Sequence, residues 1–414
     1  MFEAFATLST CRMGFMTRFA SFRIVLFVFG GLIAGLFAAG CSSPSSAPAS
    51  TSSESTPSGP ALSLLYTTAS EGLVLRDART GTARTLVAGA SHDGVRAPSR
   101  TGRYLAFSYT TADSVHLAML DLENRSLQPV DSRAAPVTYS LAWHPRDTRL
   151  AFAYYEPAQS GTRGPGDVFV ATPDGRTRDV GCSAAREVLH WLPDGSLATR
   201  NDEGLYVVAP EDCATRAAAD AEKMHHATYA PSGEHVAYIH RTLAYDRDNR
   251  EYVPDSSLFL SDARGRNAEE LFGDERQVRH LRWAPTGAEL AFAAHVEASG
   301  HRQIAVYNAE DDRTVYLTPP SQVRADQVHP VWSTEASYVA FSRREGTGAT
   351  ATVRVEGQTR SFGPVDGAVW GWLDDRTLVV PGRDSLRVES LDGQTRYSHP
   401  APATVIHVWR HIPT

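Results

Sequence analysis

From residue 61 onward, short apolar runs alternate with polar turns at a nearly constant spacing. Trp143, Trp191, Tyr229, Trp283, Trp332, Trp372 and Trp409 recur at intervals of 37 to 54 residues, and Pro98 occupies the same place one unit earlier. Six or seven residues after most of them comes a strand-length run with a small middle residue, such as Leu105-Ala106-Phe107, Leu150-Ala151-Phe152 or Leu290-Ala291-Phe292. Between aromatic and run lies turn chemistry, for example Leu-Pro-Asp-Gly at 192–195 and Ala-Pro-Thr-Gly at 284–287. A third strand (Gln303-Ile304-Ala305-Val306-Tyr307) and a fourth follow in each unit. Four short strands per unit of roughly 44 residues predict an all-β propeller built of antiparallel blades. No segment carries a long helical period, so helix content should be very small.

The ends of the pattern predict how the ring closes. Leu62–Val87 supplies the later strands of a unit without its aromatic strand, and Thr404–Trp409 is an aromatic strand with nothing after it. Joined, they complete one blade and remove the free edge. Seven internal aromatic strands and this one predict eight blades, with seven as the alternative because the 186–218 unit is short. The 277–318 copy, HLRWAPTGAELAFAAHV…QIAVYN…TVYLTP, resembles the TolB-type β-propeller repeat, and the resemblance covers nearly all of residues 62–411. It implies the fold; it does not imply a ligand.

The first sixty residues follow another pattern. Ile24 to Ala39 is an uncharged apolar run of sixteen residues preceded by Arg18 and Arg23 and followed by Gly40 and Cys41. As a helix it would span about 24 Å, short of the roughly 30 Å hydrocarbon core of a bilayer. The order of charged, apolar and small residues is that of a secretory signal. Ala-Ala-Gly-Cys resembles the lipobox of bacterial lipoproteins, with Ala38 in place of the usual leucine. The resemblance implies cleavage after residue 40 and a lipid on Cys41. Residues 42–60 are Ser, Pro, Ala, Thr, Glu and Gly alone, a solvated tether. The expected organisation is a 1–40 lipoprotein signal peptide, a 41–60 tether and a 61–414 propeller, anchored in the cell envelope by the lipid.

Composition narrows the function. The 414 residues carry a net charge of −7, and a nucleic-acid partner is not expected. Lys223 is the only lysine, so the positive charge is almost entirely arginine. Four cysteines are too few for a disulfide scaffold. Cys182 and Cys213, in an oxidising compartment, are a candidate disulfide between adjacent units. There is no P-loop, H-E-x-x-H, C-x-x-C or G-x-G-x-x-G. Repeats of this type also precede hydrolase domains in prolyl peptidases. No G-x-S-x-G elbow is present and four residues follow Arg410, so that activity is not expected, and no catalytic residue is assigned.

One column of the repeat carries candidate chemistry. Three residues before the aromatic, the units present Val95, Ser140, Val188, His226, His280, His329, Val369 and Ile406. Three successive imidazoles beside the channel are potential ligands of a divalent metal. The TolB-like oligogalacturonate lyases hold a catalytic metal on channel histidines, which implies a metal-dependent, polysaccharide lyase-like enzyme as the alternative function. Their H-x-H pair is absent here, so the carry-over fails, and no cofactor is expected. The plainer expectation is that each histidine caps its strand against a neighbouring blade. Insertions at Tyr154–Asp167 and His240–Asp255 should be loops on the same rim, and the second contains Tyr245, Arg247, Arg250 and Tyr252. Its Asp246, Asp248, Asn249 and Glu251 lack the spacing and glycine of an EF-hand, so it reads as a polar loop. The expected function is a non-catalytic binding module that meets an envelope protein, peptide or glycan partner with these four residues.

Overall fold

The computed structural model describes residues 62–410 apart from 78–79, 147, 157–166, 181–186, 202–203, 221–223, 247–250, 274–276, 347, 356–357, 366–370, 382–384 and 401–403. Thirty-two strands form eight four-stranded antiparallel sheets, and a single 3-10 turn at Pro320–Gln322 is the only helix among the described residues. In seven sheets the strands are consecutive in sequence. The eighth, counted as the first blade, takes Leu62–Thr68, Gly72–Asp77 and Ala83–Val87 from the start of the ring and Thr404–Arg410 from its end. Leu62 pairs with Arg410 and Leu65 with His407, so the predicted closure is made by hydrogen bonds. The short 186–218 unit is a full blade, which settles the count at eight.

The innermost strands are Thr404–Arg410, Ser91–Pro98, Thr138–Trp143, Glu187–Trp191, Met224–Tyr229, Arg279–Trp283, Asp326–Trp332 and Gly371–Asp374. Each touches the next around the ring. Each second strand is buried on both faces because a blade lies on either side. In Leu290-Ala291-Phe292 all three residues are fully buried. Leu290 and Phe292 pack toward the fifth blade with Leu258 and Phe272, whereas Ala291 packs toward the seventh with Phe341 and Trp332. Ala106 with Trp143, Ala151 with Trp191 and Ala340 with Trp372 repeat the arrangement. The small middle residue is therefore space for the next blade's aromatic ring. The core is a ring of eight apolar clusters among the described residues, one per blade boundary.

The aromatic column has a polar role as well. The indole N–H of Trp143 donates to Ala97 O at 2.8 Å, Trp191 to Ala142 O at 2.9 Å and Trp283 to Thr228 O at 3.1 Å. Trp332 donates to Arg282 O at 2.9 Å and Trp372 to Val331 O at 3.0 Å. Every acceptor immediately precedes the matching aromatic or proline position of the preceding blade. An innermost strand is thus tied to its predecessor by packing and by one hydrogen bond, worth about 1 kcal/mol net. Tyr229 sends its hydroxyl to Ala263 O instead, at 3.0 Å.

Candidate functional site at the channel mouth

The three column histidines share an unusual backbone. His226, His280 and His329 have φ of +52°, +58° and +55°. Each sits where the innermost strand slips register against the second: between His225 and Thr228, between Arg279 and Arg282, and between Val328 and Val331. A β-bulge needs one residue off the extended conformation, and histidine tolerates the left-handed region better than most non-glycine residues. The column thus has a backbone cause that sequence alone did not reveal.

In the same column Ser140 caps the neighbouring blade, its Oγ accepting the Val188 N–H at 2.9 Å. His329 meets an arginine of its own blade and a histidine of the sixth. Arg344, on Val339–Glu345, brings Nη2 to 3.2 Å from His329 Nε2. A guanidinium only donates, so Nε2 accepts and the ring is neutral. The rings of His280 and His329 lie 3.9 Å apart, centroid to centroid, inclined at 47°. Burial first, then His329, Arg282, Arg279 and Arg344, push the His280 pKa down to about 4. Burial, Arg344 and Arg282 lower that of His329. Arg282 is open to channel water yet walled by protein, and this loss of bulk solvent lowers its guanidinium pKa.

Between the innermost strands of the fifth and sixth blades lies a cavity of about 490 Å³ lined by His226, Ala227, Thr228, Arg279, His280, Leu281 and Arg282. Arg279, Arg282 and Arg344 are site residues that the sequence reading missed. The available signal was the pair of arginines flanking His280 and Leu281. Among the described residues no three His, Cys, Asp or Glu side chains gather as a cage, and the charges acting on His280 are positive.

The insertion expected as a loop from His240 to Asp255 is largely strand. His235–Asp246 pairs with Glu251–Asp262 in unbroken register, including Tyr245 opposite Tyr252. Met224, the first residue of the innermost strand, pairs with His240, so the ribbon beyond Arg241 overshoots that strand at the histidine end. Arg247 and Arg250 lie outside the described residues, as do Cys41, Cys182, Val369 and most of the Tyr154–Asp167 insertion. Cys213 is disulfide-bonded. Among the described residues no helix is long and apolar enough to cross a membrane.

The class of protein this defines is an eight-bladed β-propeller with arginines and histidines at one rim of its channel. No family model matches the chain, and no curated protein matches its sequence. Solved structures do. A eukaryotic initiation factor is 14% identical with a TM-score of 0.51, over 85% of this chain and 98% of that one. TolB from Acinetobacter baumannii is 12% identical with a TM-score of 0.44, over 84% and 82%. An oligogalacturonate lyase in complex with manganese is 11% identical with a TM-score of 0.46, over 75% and 85%. The likeness to the initiation factor is one of fold alone, and identities this low carry no chemistry across.

Proposed function

We propose that the chain is a lipid-anchored cell-envelope propeller that acts as a non-catalytic binding module for a protein, peptide or glycan partner. The observation that carries this reading is the overshooting ribbon of the fifth blade, which stands on the same rim as the three bulge histidines and the channel cavity. A rigid scaffold with one elaborated rim is a common design for recognition. The opposite rim has tight turns, such as those closed by Gly195 N–H to Leu192 O at 3.0 Å and Gly287 N–H to Ala284 O at 2.9 Å. Anchoring rests on the Ala-Ala-Gly-Cys41 sequence and is tested by mass spectrometry of the mature N-terminus; an unmodified Cys41 removes it.

Crosslinking in native envelopes identifies the partner. Simultaneous alanine substitution of Tyr245, Arg247 and Tyr252 is then expected to weaken it by about 2 kcal/mol or more, roughly thirtyfold, with the melting temperature nearly unchanged. Unaltered binding moves the contact surface elsewhere. The metal-dependent lyase alternative is disfavoured by the arginines around His280 and His329, and metal analysis of the purified protein is its test.

A further inference from the structure

Resting on the binding-module reading, we propose that the cavity between the fifth and sixth blades binds a multiply charged oxyanion, whose carboxylate or phosphate groups are held by Arg279 and Arg282. Three consecutive blades bring arginine and histidine side chains to this mouth, and among the described residues the cavity lining holds no carboxylate. His226 comes from the fifth, Arg279, His280 and Arg282 from the sixth, and His329 and Arg344 from the seventh. Asp326, the carboxylate of the seventh innermost strand, is already committed. It accepts from the Arg302 N–H at 2.9 Å and from Arg302 Nη1 at 3.2 Å, and Arg302 also donates to Gln277 at 3.0 Å. Neither Arg282 nor Arg344 enters a salt bridge among the described residues.

Among the described residues no carboxylate pairs with Arg282 or Arg344, so their charge is open to an incoming anion. The guanidinium fork fits carboxylate and phosphate oxygens two at a time. A volume near 490 Å³ accommodates a small solute or the acidic end of a larger one. Both histidines that touch here are held neutral, so the charge offered to an anion is that of the arginines.

Isothermal titration calorimetry on the full chain in detergent is the test, with citrate, pyrophosphate and hexaglutamate as probes and glycerol as the uncharged control. One equivalent of at least one anion should bind, with no heat from glycerol. Affinity should fall at least tenfold in Arg282→Gln and in Arg279→Gln, and stay unchanged in Arg100→Gln, an exposed turn residue on the opposite rim. Tighter binding of hexaglutamate than of citrate assigns the oxyanion to an acidic chain; the reverse assigns it to a free solute. Circular dichroism checks each variant, and if one substitution prevents folding, the other carries the test. Binding of none of the three anions overturns the proposal, as does binding that survives both substitutions. If that happens while the Tyr245, Arg247 and Tyr252 substitutions still weaken the crosslinked partner, the binding-module reading stands without the oxyanion site.

Discussion

At the scale of single residues, the column histidines hold a left-handed backbone and enclose an uncharged ring in a cationic setting. Both properties make His280 an acid-sensitive position. Its folded pKa of about 4, and those of His190 at about 4 and His407 at about 3, lie below the ordinary value of 6.5. In each case burial is the first cause. The unfolded chain therefore binds more protons as pH drops below 6.5, and the stability these rings contribute is full above that value. It should be lost progressively from pH 6.5 down to about 4 for His280 and His190 and to about 3 for His407. Thermal melts across that window should show a falling midpoint. The His280→Gly variant, which keeps the left-handed backbone without strain, should show a shallower fall. An identical slope in the variant would remove His280 from the account. The histidine column itself was visible in the sequence. Its cause was not, because a bulge is a property of two paired strands, and one strand's residues do not report where its partner slips.

At the scale of elements, the second strand of each blade was the most legible feature, since Leu-Ala-Phe runs recur with their turns. What remained hidden was that the alanine is a clearance for the following blade's aromatic. That reading gives a prediction. Ala291→Leu adds volume against Trp332 and Phe341 at a fully buried position and should destabilise by about 1–3 kcal/mol, read by denaturant titration. A neutral result would mean that the boundary between the sixth and seventh blades yields easily. The ribbon of the fifth blade was misread for a related reason. HRTLAYDRDNREYVPD lacks the apolar alternation of a half-buried strand, yet its residues pair in register as far as Asp246 and Glu251. A two-stranded ribbon that leaves the sheet has little core to impose alternation, so composition pointed to a loop.

At the scale of the whole molecule, repeat spacing and the incomplete first and last units were sufficient to predict eight blades and their closure. Of the arginine cluster, Arg279 and Arg282 share one strand and could have been read beside His280, whereas Arg344 could not, because it lies on another blade and meets them only after the ring has formed. Closure carries its own test. Ile406 is fully buried in the cluster between the first and second blades, so Ile406→Asp places a carboxylate among the apolar side chains at the seam. The variant should lose about 3 kcal/mol or more and expose the edge of Leu62–Thr68, seen as a lower melting point and concentration-dependent aggregation. A variant that melts like the parent and stays monomeric would show that the seam does not hold the ring.

The pairing of Leu62 with Arg410 also gives the ring a direction. Innermost strands run from the histidine rim toward the turn rim, and Arg410 is the last residue of one of them. The polypeptide preceding Leu62 consequently joins the propeller on the turn side. Leu62 therefore enters the ring at the opposite end of the channel from His226, His280 and His329.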